Sequence, residues 1–384
     1  MIRSVRILNF KCLRDVALPL QPLTVLIGKN DTGKSSILQA IALACRISQA
    51  QGPTGVEEEI ADAAVFAGLL SRQAQPSGRL EFEFEVSTGP SEAETARLGF
   101  SIDHPPSARV RISHQRLSLA GKTWEDQGGC TIGRSTWLLG SQNAWDRVRP
   151  SLVCGPVYQL DPHALAQPTP QERGLAPALG TSGYGLPAFL VYLAVNAPER
   201  MLEIRRLLQE KSLVADFEIR TIAKTVQKSF PIGMEGTRTE FLDTLEFRLK
   251  SGARVSAGHL SDGLLYYLGF LSILRAKTPP AVIAIEEPEN GMHPGRLREI
   301  VDLIRATLKD FPQTRVIMTT HSPYLLDYLQ PEEVWVTRRG DSGDTSLHQV
   351  SQMPGLDKLL GAFRLGELWT SVGEDKFAEG FPDD

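Results

Sequence analysis

Gly28-Lys29-Asn30-Asp31-Thr32-Gly33-Lys34-Ser35 follows directly on the short apolar run Leu23-Thr24-Val25-Leu26-Ile27. The run is β-branched, of strand length, and stops at a glycine, as a buried strand should. From Lys34 the spacing changes: Ile37, Leu38, Ile41, Leu43 and Ala44 recur at helical intervals, so the segment predicts strand, glycine loop, helix. In that setting G-x-x-x-x-G-K-[ST] has a chemistry that suits it. Glycines let the backbone curl until successive N–H groups point at one centre, where the helix dipole also favours negative charge. Lys34 would bridge the β- and γ-phosphates of a nucleotide and the Ser35 hydroxyl would ligate Mg²⁺. The strand and helix on either side count against a glycine turn with a coincidental lysine.

Two more apolar strands lie far downstream, Ala281–Ile285 and Arg315–Met318, with a helical pattern from about Gly295 to Lys309 between them. Strands apolar throughout, alternating with helices, predict a central parallel sheet. The first ends in Glu286-Glu287-Pro288-Glu289-Asn290, and ligands sit at the carboxyl ends of strands in open α/β sheets. One carboxylate there can hold Mg²⁺ through water while its neighbour orients or deprotonates the attacking water. The second ends in Thr319-Thr320-His321-Ser322-Pro323, from which His321 can sense a γ-phosphate. His321-Ser322 lacks the G-x-S-x-G elbow of a serine hydrolase. His259-Leu260-Ser261-Asp262-Gly263 opens a helix that runs to about Ala276; its serine reads as an N-cap or as part of a phosphate clamp.

Upstream of the loop, Ile2, Val5, Ile7, Leu8 and Phe10 predict a strand, and Leu80, Phe82, Phe84 and Val86 alternate with Glu81, Glu83 and Glu85 as in antiparallel sheet with one wet face. From about 87 to 182 periodicity is poor, which predicts irregular insertion joined to more β structure. Two short helices meet near Ala197-Pro198, and Leu245, Phe247 and Leu249 alternate before a turn at Ser251-Gly252. The chain shows neither internal repeats nor a heptad array, and its last residues are acidic.

Across 384 residues, 41 Lys and Arg against 45 Asp and Glu give a net charge of −4, so bulk charge does not suit a protein that coats nucleic acid or anionic membrane. Hydrophobic residues at 42% exclude wholesale disorder. Cys12, Cys45, Cys130 and Cys154 form no C-x-x-C pair, which argues against a zinc ribbon, a dithiol motif or a disulfide framework. No apolar run approaches the roughly 18 residues of a membrane span, so a cytoplasmic protein is expected.

These pieces, in this order, resemble the ABC-type ATPase heads of the RecF, SMC and OLD group, also described as AAA-family. Ile7-Leu8-Asn9-Phe10-Lys11 looks like the opening strand, whose basic residue at the Lys11 position contacts nucleotide; Gly28 to Ser35 is the Walker A. Leu260-Ser261-Asp262-Gly263 is similar to the signature, Ala284 to Glu289 to the Walker B, Asn290 to Pro294 to the D-loop, and His321 to the switch histidine. The resemblance implies an α/β P-loop NTPase head, with a mostly parallel central sheet, an antiparallel subdomain and a helical insertion. It implies ATP hydrolysis with Mg²⁺: Glu287, His321 and Lys34 catalytic; Ser35 and Glu286 on the metal; Lys11, Gly28, Asn30, Asp31, Thr32, Gly33, Lys34, Ser35, Ser36 and the signature residues on nucleotide. The signature of one subunit would close over ATP held by another, giving an ATP-dependent homodimer. Glu286 stands where Asp is commoner and Leu264 where transporters carry Gln, and residues 60–160 show no Q-loop glutamine; slow turnover is the expectation.

The expected domains are 1–86 and 241–340 as the two halves of the head, 87–240 as an insertion and 341–384 as an extension too short for the TOPRIM domain of OLD nucleases. Expected partners are DNA, through basic residues such as Arg200, Arg205, Arg206, Lys211, Arg220, Lys224 and Lys228 in the inserted helical region, or a separate nuclease or toxin protein. The roles to weigh are an ATP-driven switch in DNA maintenance or anti-phage defence, an ATP-gated regulatory subunit without DNA, and a transporter's nucleotide-binding subunit, which the opening strand and Glu-Pro-Glu-Asn-Gly suit less well.

Overall fold

Strand β1 (Ile2–Phe10) turns at Lys11 and Cys12 into β2 (Leu13–Pro19), with Ile7 opposite Val16. Strand β3 (Leu23–Ile27), buried along its whole length, leaves for another sheet. β4 (Leu80–Thr88), β5 (Glu94–Asp103), β6 (Arg111–Leu119) and β7 (Lys122–Asp126) then extend the first sheet in the order β2-β1-β4-β5-β6-β7, all antiparallel, and β8 (Cys130–Thr131) also pairs with β6. The sheet passes straight through residue 87, where the sequence suggested that an insertion begins. Its later strands were hidden because β6 buries Ser113 and Gln115 beside Ile112 and Leu117, and the pairing register slips between Ser101 and Ile102. Strand β9 (Cys154–Tyr158) joins the sheet of β3. The computed structural model describes residues 1–49, 63–71, 78–89, 94–104, 110–126, 130–131, 142–171, 177–229, 235–373 and 377. The acidic C-terminal residues and Gly128-Gly129 lie outside them.

The chain forms two compact units, one of Met1–Val157, Pro280–Glu287 and Leu308–Asp384, the other of Tyr158–Pro279 and Pro288–Thr307. In the second, β10 (Thr169–Pro170) and the long hairpin of β11 (Val214–Ser229) and β12 (Glu235–Leu249) lie in the order β10-β12-β11, with β13 (Arg254–Ser256) also on β12. Phe217 opposes Phe247, and their rings lie 5.8 Å apart in the core. Beyond Ile219 the hairpin is largely exposed, so it carries no apolar period to betray it. Arg220, Lys224 and Lys228 therefore stand on a strand and not, as expected, on helix. The helices Leu186–Asn196 and Pro198–Lys211 break where expected, Pro198 starting the second at a position that needs no N–H. Helix Asp262–Leu274 is buried from Leu264 onward, matching its apolar sequence.

In the first unit β14 (Val282–Glu286), β15 (Arg315–Thr320), β16 (Val334–Arg339) and β17 (Thr345–Gln349) complete the second sheet, ordered β17-β16-β3-β15-β14-β9. The pairs β14 to β15, β15 to β3 and β3 to β16 are parallel, and β17 is antiparallel to β16. One core takes in Ile7, Phe82, Phe84 and Phe100 of the antiparallel sheet, Ile37, Leu38 and Ile41 of the helix Lys34–Gln49, and Ala284 and Ile317 of the parallel one. Strand β17 belongs to residues expected only as an extension. Among the described residues no helix is long and apolar enough to cross a membrane. Cys12, Cys45 and Cys154 are free thiols, and a hydrogen bond with Cys154, reinforced by burial, raises the Cys45 thiol well above its ordinary pKa.

Candidate functional site

The register of the parallel strands sets the site. Glu286 is level with Thr319, Thr320 with Ile27, and Ile27 with Val336. The residues that follow, Glu287, His321 and Gly28, therefore leave adjacent strands at one end of the sheet, next to Thr337 within β16, the paired strands being about 4.8 Å apart. This is the carboxyl end, where such sheets bind ligands. A cavity of about 910 Å³ opens there, lined by Lys11, residues Asn30 to Ser36, Glu287, His321 and Arg339.

Gly28 and Gly33 carry φ of +157° and +103°, and a Cβ on the first would run into the carbonyl and hydroxyl of Thr337, on the second into the hydroxyl of Thr345. The loop thus needs glycine for close approach as much as for its curl. Lys34, buried, donates from Nζ to the carbonyls of Gly28 and Lys29, each at 2.7 Å. These contacts hold the ammonium inside the loop, where an arriving phosphate would meet it. Ser35 is exposed at the start of the helix. The Thr32 hydroxyl is taken up within the fold: it lies 2.7 Å from that of Thr337 and donates to Lys29 O at 2.9 Å. Lys11, with φ of +52°, donates to Gln39 Oε1 at 2.6 Å.

Glu287 Oε1 lies 3.1 Å from His321 Nε2. Its backbone is left-handed, φ +45°, a conformation that costs a residue with a Cβ about 1–2 kcal/mol. The N–H of Glu287 is tied to Thr319, to O at 3.0 Å and to Oγ1 at 3.3 Å, which fixes that turn. Glu286 Oε1 is enclosed and has no hydrogen-bond partner. The orphaned Glu286 oxygen and the exposed Ser35 hydroxyl are both hard oxygen donors, the type that suits a cation drawing its remaining ligands from phosphate and water. Among the described residues no group of three or more His, Cys, Asp and Glu could hold a metal unaided.

Three residues escaped the sequence reading. Thr337 Oγ1 donates to Ile27 O at 3.1 Å, Thr345 Oγ1 to Thr32 O at 2.8 Å, and Arg339 Nη1 to Asp31 O at 3.2 Å. Together β16 and β17 clasp the phosphate loop. They follow no motif; only the position of β16 beside β3 could have pointed to them.

In the other unit Ser261 caps helix Asp262–Leu274 by position but makes no side-chain capping bond, and Ser261 and Asp262 are exposed. Gly291, φ +76°, lies against the ring of Tyr266, where a Cβ would collide. Burial, then Asp161 and Asp262, raises the Tyr266 pKa. Of the basic residues proposed to meet DNA, Arg200 pairs with Glu203, Arg205 with Asp216, Arg206 with Glu210, Lys211 with Glu299, and Arg220 with Glu218 and Glu246.

Residues 1–63 match the family described as AAA ATPase domain, and residues 152–327 the family described as AAA domain, putative AbiEii toxin, Type IV TA system. The fold matches an SMC head bound to the C-winged helix domain of ScpA, with a TM-score of 0.55 at 15% identity over 93% of this chain and 99% of that one. An SMC head with an extended coiled coil, bound to the C-terminal domain of ScpA derived from Pyrococcus furiosus, gives 0.53 at 13% identity over 94% and 98%. A stretch of 43 residues is 49% identical to the OLD nuclease of Thermus scotoductus (strain ATCC 700910 / SA-01). The chain thus carries two regions similar to AAA-family domains on a fold like that of an SMC head, and resembles RecF/SMC/OLD-like ATPases. The OLD match covers 11% of the chain and spans only 8% of that relative's length.

Proposed function

We propose that the chain binds Mg²⁺-ATP at Gly28 to Ser35 and hydrolyses it with Glu287 as general base. The carrying observation is the contact between Glu287 and His321 on the wall of the cavity that the phosphate loop also lines. Loop N–H groups and Lys34 hold the β- and γ-phosphates. Glu287 takes a proton from water as the water oxygen bonds the γ-phosphorus and the bond to the bridging oxygen breaks, leaving ADP and phosphate. His321 orients that carboxylate and reports the γ-phosphate. Mg²⁺, held by Ser35 Oγ and Glu286, would neutralise charge between the β- and γ-phosphates.

The exposed turn at Leu260, Ser261, Asp262 and Gly263 supports a further step, closure of this surface over nucleotide held by a second copy. With the serine hydroxyl uncommitted, the first N–H groups of the helix are left for an anion. The resulting switch would act in DNA maintenance or anti-phage defence. Because five of the suggested basic residues are engaged in ion pairs, a partner protein is favoured over DNA as the target of that surface. The two similar SMC heads are each bound to a ScpA domain, which supports the same choice. Light scattering on Glu287→Gln should give the mass of one chain without nucleotide and of two with Mg²⁺-ATP. A single-chain mass despite demonstrated ATP binding would sink homodimer closure.

A further inference from the structure

We propose that the cavity between helix Leu186–Asn196 and the sheet β10-β12-β11 binds a small organic cation, an ammonium or guanidinium on an apolar stem, with Asp243 as its counter-charge. The inference goes beyond ATP turnover, and every lining residue belongs to the unit that does not hold the phosphate loop.

Asp243 continues the inward alternation of Leu245 and Phe247 on β12, so a carboxylate stands where the pattern calls for an apolar side chain. It is 4% exposed. Its strand partners are Thr169 on β10 and Thr221 on β11, which puts a row of three polar residues across an otherwise apolar face. Oδ1 accepts from Thr221 Oγ1 and from Gln171 Nε2, each at 2.8 Å. Both donors are neutral, and no Lys, Arg or His pairs with Asp243 among the described residues. Thr169 Oγ1, in a residue 8% exposed, is enclosed without any partner. A buried carboxylate with only neutral donors, beside an unsatisfied hydroxyl, is a costly arrangement that a cation would relieve.

The space above this row measures about 530 Å³. Its opposite wall is one stripe of the helix, Ala188, Val191, Tyr192 and Val195, at the spacing of a single helical face. Tyr184, 42% exposed, stands at the edge. An apolar wall with tyrosine rings and one carboxylate at the floor selects an organic cation: the stem meets the aliphatic and aromatic surface, and the charge meets Asp243. An anion would be repelled, and a hard divalent metal needs more oxygen ligands than one carboxylate supplies.

The test titrates the full chain by calorimetry with n-hexylamine, phenethylamine and agmatine, and with n-hexanol as the uncharged isostere of the first. Saturable binding of at least one cation to one site is expected, weakened about tenfold or more in Asp243→Asn and in the alcohol. The asparagine retains an acceptor for Thr221 and Gln171, so the fold should survive; should it not, Ala188→Trp fills the cavity from the helix side and must abolish binding. Failure of all three cations, equal affinity for wild type and Asp243→Asn, equal binding of the alcohol, or undiminished binding in Ala188→Trp each overturns the proposal. A lysine- or arginine-bearing peptide binding far more tightly than the free amines would overturn the assignment to a small molecule.

Discussion

The two strands beside β3 treat the phosphate loop differently. From β15 comes His321, which meets Glu287 from β14, and from β16 comes Thr337, which meets the loop itself. On the proposed function, one side carries groups that chemistry demands, the other groups that geometry demands. A residue that must move a proton or hold a phosphate has few substitutes, so its type and spacing form a motif. A residue that must only fill a gap beside a glycine with a hydroxyl has many, so its position is set by the sheet alone. The contrast can be broken on either side.

The largest effect should come from Lys34→Ala, which removes the ammonium that two loop carbonyls hold in place. Loss of nucleotide binding, with turnover lower by roughly 10²–10³ as for other preorganised charges, is expected in nucleotide titration and phosphate-release assays. Near-normal values would mean that the loop binds no phosphate. Next comes Glu287→Gln, for which kcat should fall by about 10²–10⁴ while nucleotide affinity stays within a few-fold. Normal turnover there would remove Glu287 from the chemistry and leave its left-handed backbone without a purpose.

The same contrast explains what the sequence could reveal. β3, β14 and β15 are buried on both faces, so their runs are apolar throughout and stand out; the residues at their ends, Gly28, Glu287 and His321, are few and placed by register. By contrast, β6 buries Gln115 at 2% exposure, and the outer half of β11 buries little, so neither follows the pattern by which strands are recognised. Thr337 and Thr345 were illegible for a further reason: they lie more than three hundred residues from the loop they hold. Only the pairing of β16 with β3 brings them there. The basic residues were legible as charges, but their acidic partners were not, since Asp216, Glu246 and Glu299 sit on other elements.

The supporting side should break more gently, in stability before chemistry. Gly28→Ala would force a Cβ against the Thr337 carbonyl and hydroxyl while keeping a left-handed φ. A cost of about 1–3 kcal/mol is expected from a urea midpoint. An unchanged midpoint would contradict the close approach of β3 and β16.

Thr337→Val is the mildest change and the sharpest, because it keeps the shape and removes only the hydroxyl. The donor to Ile27 O and the contact with Thr32 are lost, yet Thr32 still has Lys29 O as acceptor, so the penalty should stay near 1 kcal/mol. The loop would be held less firmly and not differently. Its N–H groups would then spend part of their time out of line for phosphate, and KM for nucleotide should rise about two- to fivefold, consistent with that loss, while kcat is unchanged. Thr345→Val, which frees the Thr32 carbonyl, should behave alike. A fall in kcat with KM unaltered would place these threonines in the transition state, and β16 would then carry chemistry just as β15 does.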